Sequence, residues 1–322
     1  RPESPMSDPA ARRARAEAAL VSAYLADAAA MGLHWLYDPE RIAALSGPLA
    51  FRAPDAADFA GAKGVFVHHG KRSGDLSHYG QQMRAMVQAL AGAEGGAFDV
   101  EAYQARFAAL FGPGGGWSGY IDRPTRGTLA NLASGQKDPS GVEDDQLPAV
   151  AKLPPLLARD GGATPAEVEA AVQVTNLGAP ALAWSRAFAA MLSAALDGAD
   201  MAAALDAGAA ASEEIAAALS AARGASASVT DFAGEVGRAC HLPQGLPVIA
   251  RILAEETTAE GAILANIRAG GDSCGRAVPL GALLGAVHGI GGAAGLPPAW
   301  ALRLTEGPAL AAEIEAALGP RP

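Results

Sequence analysis

Six short segments of this chain carry polar and titratable side chains where a packed protein would favour apolar ones. The most informative is Gly270-Gly271-Asp272-Ser273-Cys274, which precedes a long apolar helical pattern. Paired glycines let the backbone approach a ligand closely. An aspartate at a helix start either caps the helix or turns its carboxylate toward a metal ion, a water or a sugar hydroxyl. The other five segments are Asp27 with 34–38, and 73–82, 119–127, 143–146 and 175–176.

A nucleophilic pair is one chemistry that these segments could support. Cys274 is expected near a helix N-terminus, and Arg276 follows two residues later, so both features would lower the pKa of the thiol. His78 could supply general acid or base chemistry and, across a cleft, form a Cys–His pair. A free cysteine is otherwise a small apolar filler. Among the remaining histidines, His34 is a candidate site residue, 68–69 is interpreted as solvated, and His241 and His288 are interpreted as structural.

Charged residues in the middle of the chain have two readings each. Asp122 and Arg126 form either a surface ion pair or, in a cleft, a site where Arg126 binds a phosphate or carboxylate with two hydrogen bonds. Asp144 and Asp145 are adjacent and would point in different directions on a helix. We therefore expect one of them, Asp145, to bind a ribose hydroxyl.

Composition excludes several classes of protein. The chain has 322 residues, 50% of them hydrophobic and 18% charged, which is typical of a globular protein and not of a disordered one. A net charge of −10, without a basic block, disfavours nucleic acid and anionic membranes as partners. Two cysteines are too few for a disulfide framework. These features predict a cytoplasmic protein.

Helical periodicity dominates the chain, and alanine-rich stretches such as 201–223 outnumber β-branched runs. We predict an all-α fold, a single compact domain at 11–322 after a disordered segment at 1–10. A first helix should run from about Ala11 to Gly32. A late apolar stripe should start near Pro279, and Gly281 and Gly285 beside it would let another helix approach closely.

Four segments, in order, resemble the ADP-ribosylglycohydrolases. Residues 265–273, ending in Gly270-Gly271-Asp272-Ser273, are similar to the Gly-Gly-Asp-Thr-Asp-Thr motif of that family, and Ala26-Asp27-Ala28 resembles its Gly-Asp-Ala-Leu-Gly opening. Residues 144–156 and 175–176 resemble its substrate loop and its Thr-His/Asn step. The resemblance implies an orthogonal all-α bundle, a cleft for ADP-ribose, two Mg²⁺ or Mn²⁺ ions, and hydrolysis of the bond that joins ADP-ribose to an acceptor.

The metal motifs depart from the family pattern. The Ser/Thr-Asp-Asp-Thr motif is replaced by Ser77-His78-Tyr79-Gly80-Gln81, and the second motif has Cys274 and Gly275 where the family has Asp and Thr. Asp272 remains an acidic metal ligand, and Ser77 is an additional oxygen. Cysteine and histidine favour a softer ion such as Zn²⁺. The chain therefore resembles a divergent branch near the J-type crystallins, with Mg²⁺, Mn²⁺ or no metal as its cofactor.

Three functions follow as hypotheses, and the two enzymatic ones require 270–276 to meet 77–82. The first is an ADP-ribosylglycohydrolase-like hydrolase that cleaves a glycosidic or related C–N bond of an ADP-ribosylated or nucleoside-like small molecule. The second is a metal-independent hydrolase that uses Cys274, His78 and Asp272 on another small molecule, such as a cyclic amide. The third is a crystallin-like binding protein. The candidate catalytic residues are Asp272, His78, Cys274 and Asp27, and the candidate substrate-binding residues are His34, Tyr37, Tyr79, Gln81, Tyr120, Arg126, Asp145, Asn176, Ser273 and Arg276.

Overall fold

The structure, a computed structural model, describes residues 8–321, and no sheet forms within that range. The all-α prediction is confirmed by helices that are joined by loops, 3-10 turns and isolated β-bridges. The helices of the described range are α1 (Pro9–Ala30), α2 (Pro39–Ala44), α3 (His78–Ala91), α4 (Val100–Phe111), α5 (Arg123–Ala133), α6 (Pro148–Ala151), α7 (Leu153–Ala158), α8 (Pro165–Gln173), α9 (Ala179–Leu196), α10 (Met201–Ala209), α11 (Glu213–Gly224), α12 (Val229–Val236), α13 (Leu242–Glu255), α14 (Ala259–Ala269), α15 (Ser273–His288) and α16 (Gly307–Leu318).

The first and the fifteenth helices form the most extensive pair in the core. A Cβ atom at Gly281 would lie 2.5 Å from the carbonyl oxygen of Ser22, and one at Gly285 would lie 2.3 Å from that of Ala18. Only glycine leaves room for such an approach, so the predicted close contact is confirmed. Because α1 and α15 run side by side, Asp27 near the end of α1 faces the start of α15.

Two helix starts differ from the sequence prediction. Asp8 accepts a hydrogen bond from the backbone N–H of Ala10 at 3.0 Å, so α1 begins at Pro9, two residues before the predicted start. The rest of the predicted disordered segment, 1–7, lies outside the described residues. Pro279 is not in a first turn, because α15 begins at Ser273, where Asp272 caps it.

Two helices in the described part are long and apolar enough to cross a membrane, judged by length and composition alone: Pro9–Leu33 and α9. The most apolar window of the first is 83% buried inside the molecule, and that of the second is 56% buried. Core helices pass the same test, so it is weak evidence for a membrane span.

Candidate functional site

Asp272 lies at the N-terminus of α15 and is fully buried. Its carboxylate accepts a hydrogen bond from the backbone N–H of Gly275 at 3.1 Å, as a helix cap does. Gly271 before it has φ +71°, and a Cβ there would lie 2.2 Å from the carbonyl oxygen of Arg238. The glycine therefore lets the loop pass against Arg238, while Trp35 donates its backbone N–H to the carbonyl oxygen of Gly271 at 2.8 Å.

Two side chains from distant segments hold the Asp272 carboxylate. His34 Nε2 lies 2.7 Å from its Oδ1, and the Tyr79 hydroxyl donates to its Oδ2 at 2.7 Å. Burial raises the pKa of Asp272, but the hydrogen bonds from His34 and Tyr79, with the Arg276 charge, lower it below its usual value. The loop before α15 and the segment 77–82 thus meet in space, as the sequence analysis required.

His68 continues this chain of contacts. Its Nε2 lies 2.8 Å from Nδ1 of His34, and its side chain is almost fully buried. The interpretation of His68 as a solvated residue is therefore wrong. Burial, followed by the neighbouring His34 and His78, lowers the pKa of His68 well below its usual value.

Asp27 is the second buried carboxylate. Its oxygens accept hydrogen bonds from the hydroxyl of Ser77 at 2.5 Å and from the backbone N–H of Ser77 at 2.8 Å. Burial raises the pKa of Asp27 to about 7, although the bonds from Ser77 work in the opposite direction. Ser77 also caps α3 through the N–H of Tyr79, so its oxygen is engaged twice. A Cβ at Gly80 would lie 2.2 Å from Oδ2 of Asp27, which makes glycine necessary there.

Cys274 and Arg276 differ from their predicted roles. The Cys274 thiol is buried and donates to the carbonyl oxygen of Asp27 at 3.7 Å. Burial raises its pKa well above the usual value, and the nearby Asp27 and Asp272 raise it further, so the prediction of an activated thiol is wrong. Arg276 is also fully buried and donates to Asn266 Oδ1 at 2.8 Å and to the Gly270 carbonyl at 2.6 Å. These contacts stabilise the loop before α15. Because the Arg276 side chain is buried and already bonded there, its position does not support the predicted substrate-binding role.

His78 is the exception in this otherwise hydrogen-bonded cluster. Both its ring nitrogens are buried and lack a hydrogen-bond partner among the described residues, so it forms no pair with Cys274. Its Nε2 lies 3.4 Å from Oδ2 of Asp122, and its ring centre lies 4.2 Å from that of Tyr79 and 5.3 Å from that of Tyr120. Burial, followed by the neighbouring His34, lowers the pKa of His78 to about 3, which leaves a neutral imidazole at neutral pH.

We call this group of buried side chains the Asp272 cluster. Its members are Asp27, His34, His68, Ser77, His78, Tyr79, Asp272 and Cys274. Seven of them are among the catalytic, metal-ligating or substrate-binding candidates predicted from the sequence. Ser77 was singled out as a metal ligand, and His68 is the member that sequence reasoning missed.

A second polar network adjoins the cluster at Asp122. This carboxylate is buried and accepts hydrogen bonds from Gln82 at 2.9 Å and from the N–H of Thr125 at 2.7 Å. It forms no ion pair with Arg126, which is exposed and donates to the carbonyl oxygen of Ile121. The surface ion pair weighed for Asp122 and Arg126 is therefore wrong.

Lys152 lies in the same network and was also missed. It is fully buried and donates to the hydroxyl of Thr175. Burial lowers its pKa to about 7, against the opposing effect of the Asp122 and Asp144 charges. The apolar sequence around Lys152 gave no sign of these partners.

Asn176 and the adjacent aspartates have separate partners. Asn176 donates to Oδ1 of Asp144 at 3.0 Å and accepts from the Thr175 hydroxyl at 2.5 Å, so its amide is already engaged. Asp145 lies 2.6 Å from Nδ1 of His241, whereas Asp144 contacts Asn176 and Arg123, so the two adjacent carboxylates have different partners.

Aromatic side chains cover the cluster. Trp35 has a φ of +67°, an uncommon backbone conformation for a bulky residue and one often found at functional sites. Its ring centre lies 5.0 Å from that of His34 and 4.8 Å from that of Tyr120. Tyr37 is half-buried and lines a cavity of about 460 Å³ next to this cover.

Two predicted substrate-binding residues have no contact that assigns them a role. The side chain of Gln81 is half-buried and forms no hydrogen bond among the described residues. The hydroxyl of Ser273 is buried at the start of α15 and, within the same part of the chain, has no hydrogen-bond partner.

The cluster does not fit two Mg²⁺ or Mn²⁺ ions. Such hard cations take several oxygen ligands at once. Asp272 is engaged by three donors, the Asp27 carboxylate accepts two hydrogen bonds from Ser77, and the remaining groups are imidazole, phenol and thiol. The donor set therefore disagrees with a dinuclear magnesium centre.

The chain belongs to the ADP-ribosylglycohydrolase family, whose sequence profile matches residues 8–320. A solved structure described as an ADP-ribosylglycohydrolase-related protein complex shares the fold, with a TM-score of 0.67 and 18% identity. The match covers 95% of this chain and 97% of the other. No curated protein matches the sequence. The resemblance stated from the four motifs is confirmed, and family and fold together support a hydrolase of this kind.

Proposed function

We propose that the protein hydrolyses a glycosidic or related C–N bond of an ADP-ribosylated or nucleoside-like substrate at the Asp272 cluster. The observation that carries this proposal is the buried His78, whose two ring nitrogens have no partner among the described residues. Buried polar groups in proteins are almost always hydrogen-bonded, and an exception needs an explanation. A substrate atom or water that binds beside His78 would give its ring nitrogens the missing partner and so explain the exception.

Asp272 contributes a fixed negative charge. His34 and Tyr79 both hold its carboxylate, which keeps the group ionised and fixes its orientation. Hydrolysis of a glycosidic bond proceeds through a transition state with positive charge on the sugar ring. A preorganised carboxylate stabilises that charge more than it stabilises the neutral substrate.

His78 orients the attacking water. Its neutral ring can accept a hydrogen bond from water, while Asp122, 3.4 Å from Nε2, steadies the ring from the other side. Water oxygen then bonds to the anomeric carbon as the bond to the leaving group breaks, and the water proton passes to the departing group. Trp35 and Tyr120 lie over this position, so substrate entry requires one of these rings to move.

The neighbouring cavity suits the phosphates of such a substrate. Lys63 and Arg238 line it together with Tyr37, and both carry positive charge. The cavity adjoins the cluster because the backbone N–H of Asp272 donates to the carbonyl oxygen of Arg238 at 2.9 Å. This position supports a small-molecule or ADP-ribosylated substrate as the partner.

A panel of substrates tests the proposal. ADP-ribosyl-arginine, related ADP-ribosyl conjugates and ribonucleosides are incubated with the purified protein, with and without a chelator, and the products are separated by chromatography. We expect release of ADP-ribose or a free base, lost in His78→Ala and retained in His288→Ala, a half-buried histidine outside the cluster. No turnover across the panel, or equal rates in both variants, would contradict the proposal.

A further inference from the structure

We propose that His34, His68 and Cys274 form a zinc site within the Asp272 cluster. One ligand atom from each of the three lies within 4.8 Å of the other two, and all three side chains are buried. Imidazole nitrogen and thiolate sulfur are the ligands that zinc prefers in proteins. The site thus differs in kind from the oxygen-rich magnesium centre that the cluster does not fit.

The orientation of His34 supports this assignment. Its Nε2 is 2.7 Å from Asp272, so its Nδ1 is the nitrogen that faces His68, 2.8 Å away. Histidines that bind a metal usually donate their other ring N–H to a carboxylate, which fixes the tautomer and the ring orientation. Asp272 occupies that supporting position without itself being a ligand.

Backbone contacts bring His68 to the site although it lies in a loop. The loop pairs with the segment after His34, where Tyr37 donates its N–H to the carbonyl oxygen of Lys63 at 2.8 Å, and Val65 donates to that of Trp35 at 3.1 Å. These bonds place residues 63–65, just before His68 in the chain, beside the segment that follows His34. The convergence of His68 and His34 is therefore built into the fold.

Zinc binding requires the three ligand atoms, which lie within 4.8 Å of one another, to move onto one ion. Two nitrogen ligands at about 2.0–2.1 Å from a tetrahedral zinc ion lie about 3.3 Å apart, so the two imidazoles would separate by about half an ångström. The ion replaces the thiol proton of Cys274, which passes to solvent as the zinc–sulfur bond forms. Three protein ligands leave the fourth position to water or to a substrate atom.

Metal titration of the purified chain tests the site without any substrate, so its failure leaves the proposed hydrolase untouched. The protein is stripped with a chelator and titrated with Zn²⁺ against a chromogenic competitor, and with Co²⁺ while the absorption spectrum is recorded. We expect one ion per chain and a thiolate-to-cobalt charge-transfer band in the near ultraviolet. A protein that binds neither ion, or binds cobalt without that band, would overturn the proposal and leave the contacts as hydrogen bonds alone.

Variants locate the ligands. Cys274→Ser should abolish the charge-transfer band, and His68→Gln should weaken zinc binding by more than about 100-fold, since a ligand matters more than its supporting group. Asp272→Asn should weaken it by about 10–100-fold. Cys240→Ser, which changes the other thiol, should bind as the wild type does. Circular dichroism confirms that each variant folds, and an unchanged band in Cys274→Ser would contradict the assignment.

Discussion

Asp272 and His34 are separated by 238 positions in sequence, yet His34 Nε2 lies 2.7 Å from Asp272 Oδ1 in the interior of the molecule. One residue ends the turn after α1 and the other caps α15, so the packing of these two helices sets their distance. Tyr79, which lies on α3, donates a hydrogen bond to the other oxygen of the same carboxylate. Three separate segments therefore depend on one side chain.

Asp272→Asn should remove activity and weaken the fold. An amide cannot accept from both His34 and Tyr79 as an ionised carboxylate does, and a hydrogen bond to a charged group contributes about 1.5–3 kcal/mol. We expect at least a 100-fold loss of turnover and a clear fall in the urea midpoint. Asp200→Asn is the matched control, because Asp200 caps α10 in the same way but is exposed. If both variants behave alike, Asp272 is merely a helix cap.

Tyr79→Phe should measure the contribution of the hydrogen bond from the Tyr79 hydroxyl to Asp272. The ring stays packed while the hydroxyl that donates to Asp272 is lost, and we expect a loss of about 1–3 kcal/mol in the free energy of unfolding. Tyr103→Phe serves as control, since the buried Tyr103 hydroxyl has no partner in the described part of the chain. Its removal should be neutral or stabilising in the same denaturation experiment. A loss of stability in Tyr103→Phe as large as that in Tyr79→Phe would contradict this view.

Gly80→Ala should displace the carboxylate of Asp27 and lower the stability of the protein. Its new methyl group would lie 2.2 Å from Oδ2 of Asp27, so Asp27 must shift away from Ser77, at a cost of about 1–3 kcal/mol. Gly92→Ala, at the end of the same helix, meets nothing closer than 3.5 Å and should have little effect. Thermal unfolding of both variants compares them, and equal melting temperatures would count against the tight contact.

Lys152 should make stability depend on pH. Because burial lowers its pKa to about 7 from 10.5, the unfolded chain binds more protons than the native one between these values. Stability associated with Lys152 is thus fully present above about pH 10.5 and is lost as pH falls toward 7. Lys152→Met should remove this dependence, whereas Lys137→Met, at an exposed position, should keep it. Urea denaturation at several pH values measures the difference, and parallel curves for wild type and Lys152→Met would contradict it.

Much of the fold could be predicted from local signals. The sequence predicts a helix from about 100 to 111, which is α4 as observed, because Asp99 caps it and a glycine-rich segment ends it. The sequence also predicts that Ser77 caps the following helix, and Ser77 caps α3 in the structure. The alanine-rich stretch 201–223 predicts a single helix but forms two, since Ser212 caps a new one at Glu213.

The missed and mistaken site residues depend on contacts that no local pattern encodes. His68 lies in a polar loop and is buried only because the loop folds back on the segment after His34. The prediction of a lowered pKa for the Cys274 thiol is wrong for a related reason. Its helix start is buried between two carboxylates, and burial outweighs the helix end and the arginine that the sequence displays. Lys152 lies among apolar residues, and its partner Thr175 is on another segment.

A crystal structure of the protein with ADP-ribose bound tests the central claim most directly. The account predicts that the terminal ribose or its water lies within hydrogen-bonding distance, about 2.6–3.2 Å, of a His78 ring nitrogen, with Trp35 or Tyr120 displaced. ADP-ribose in the separate cavity of about 540 Å³ lined by Arg12, Arg13 and Arg159, with His78 still unpartnered, would contradict it.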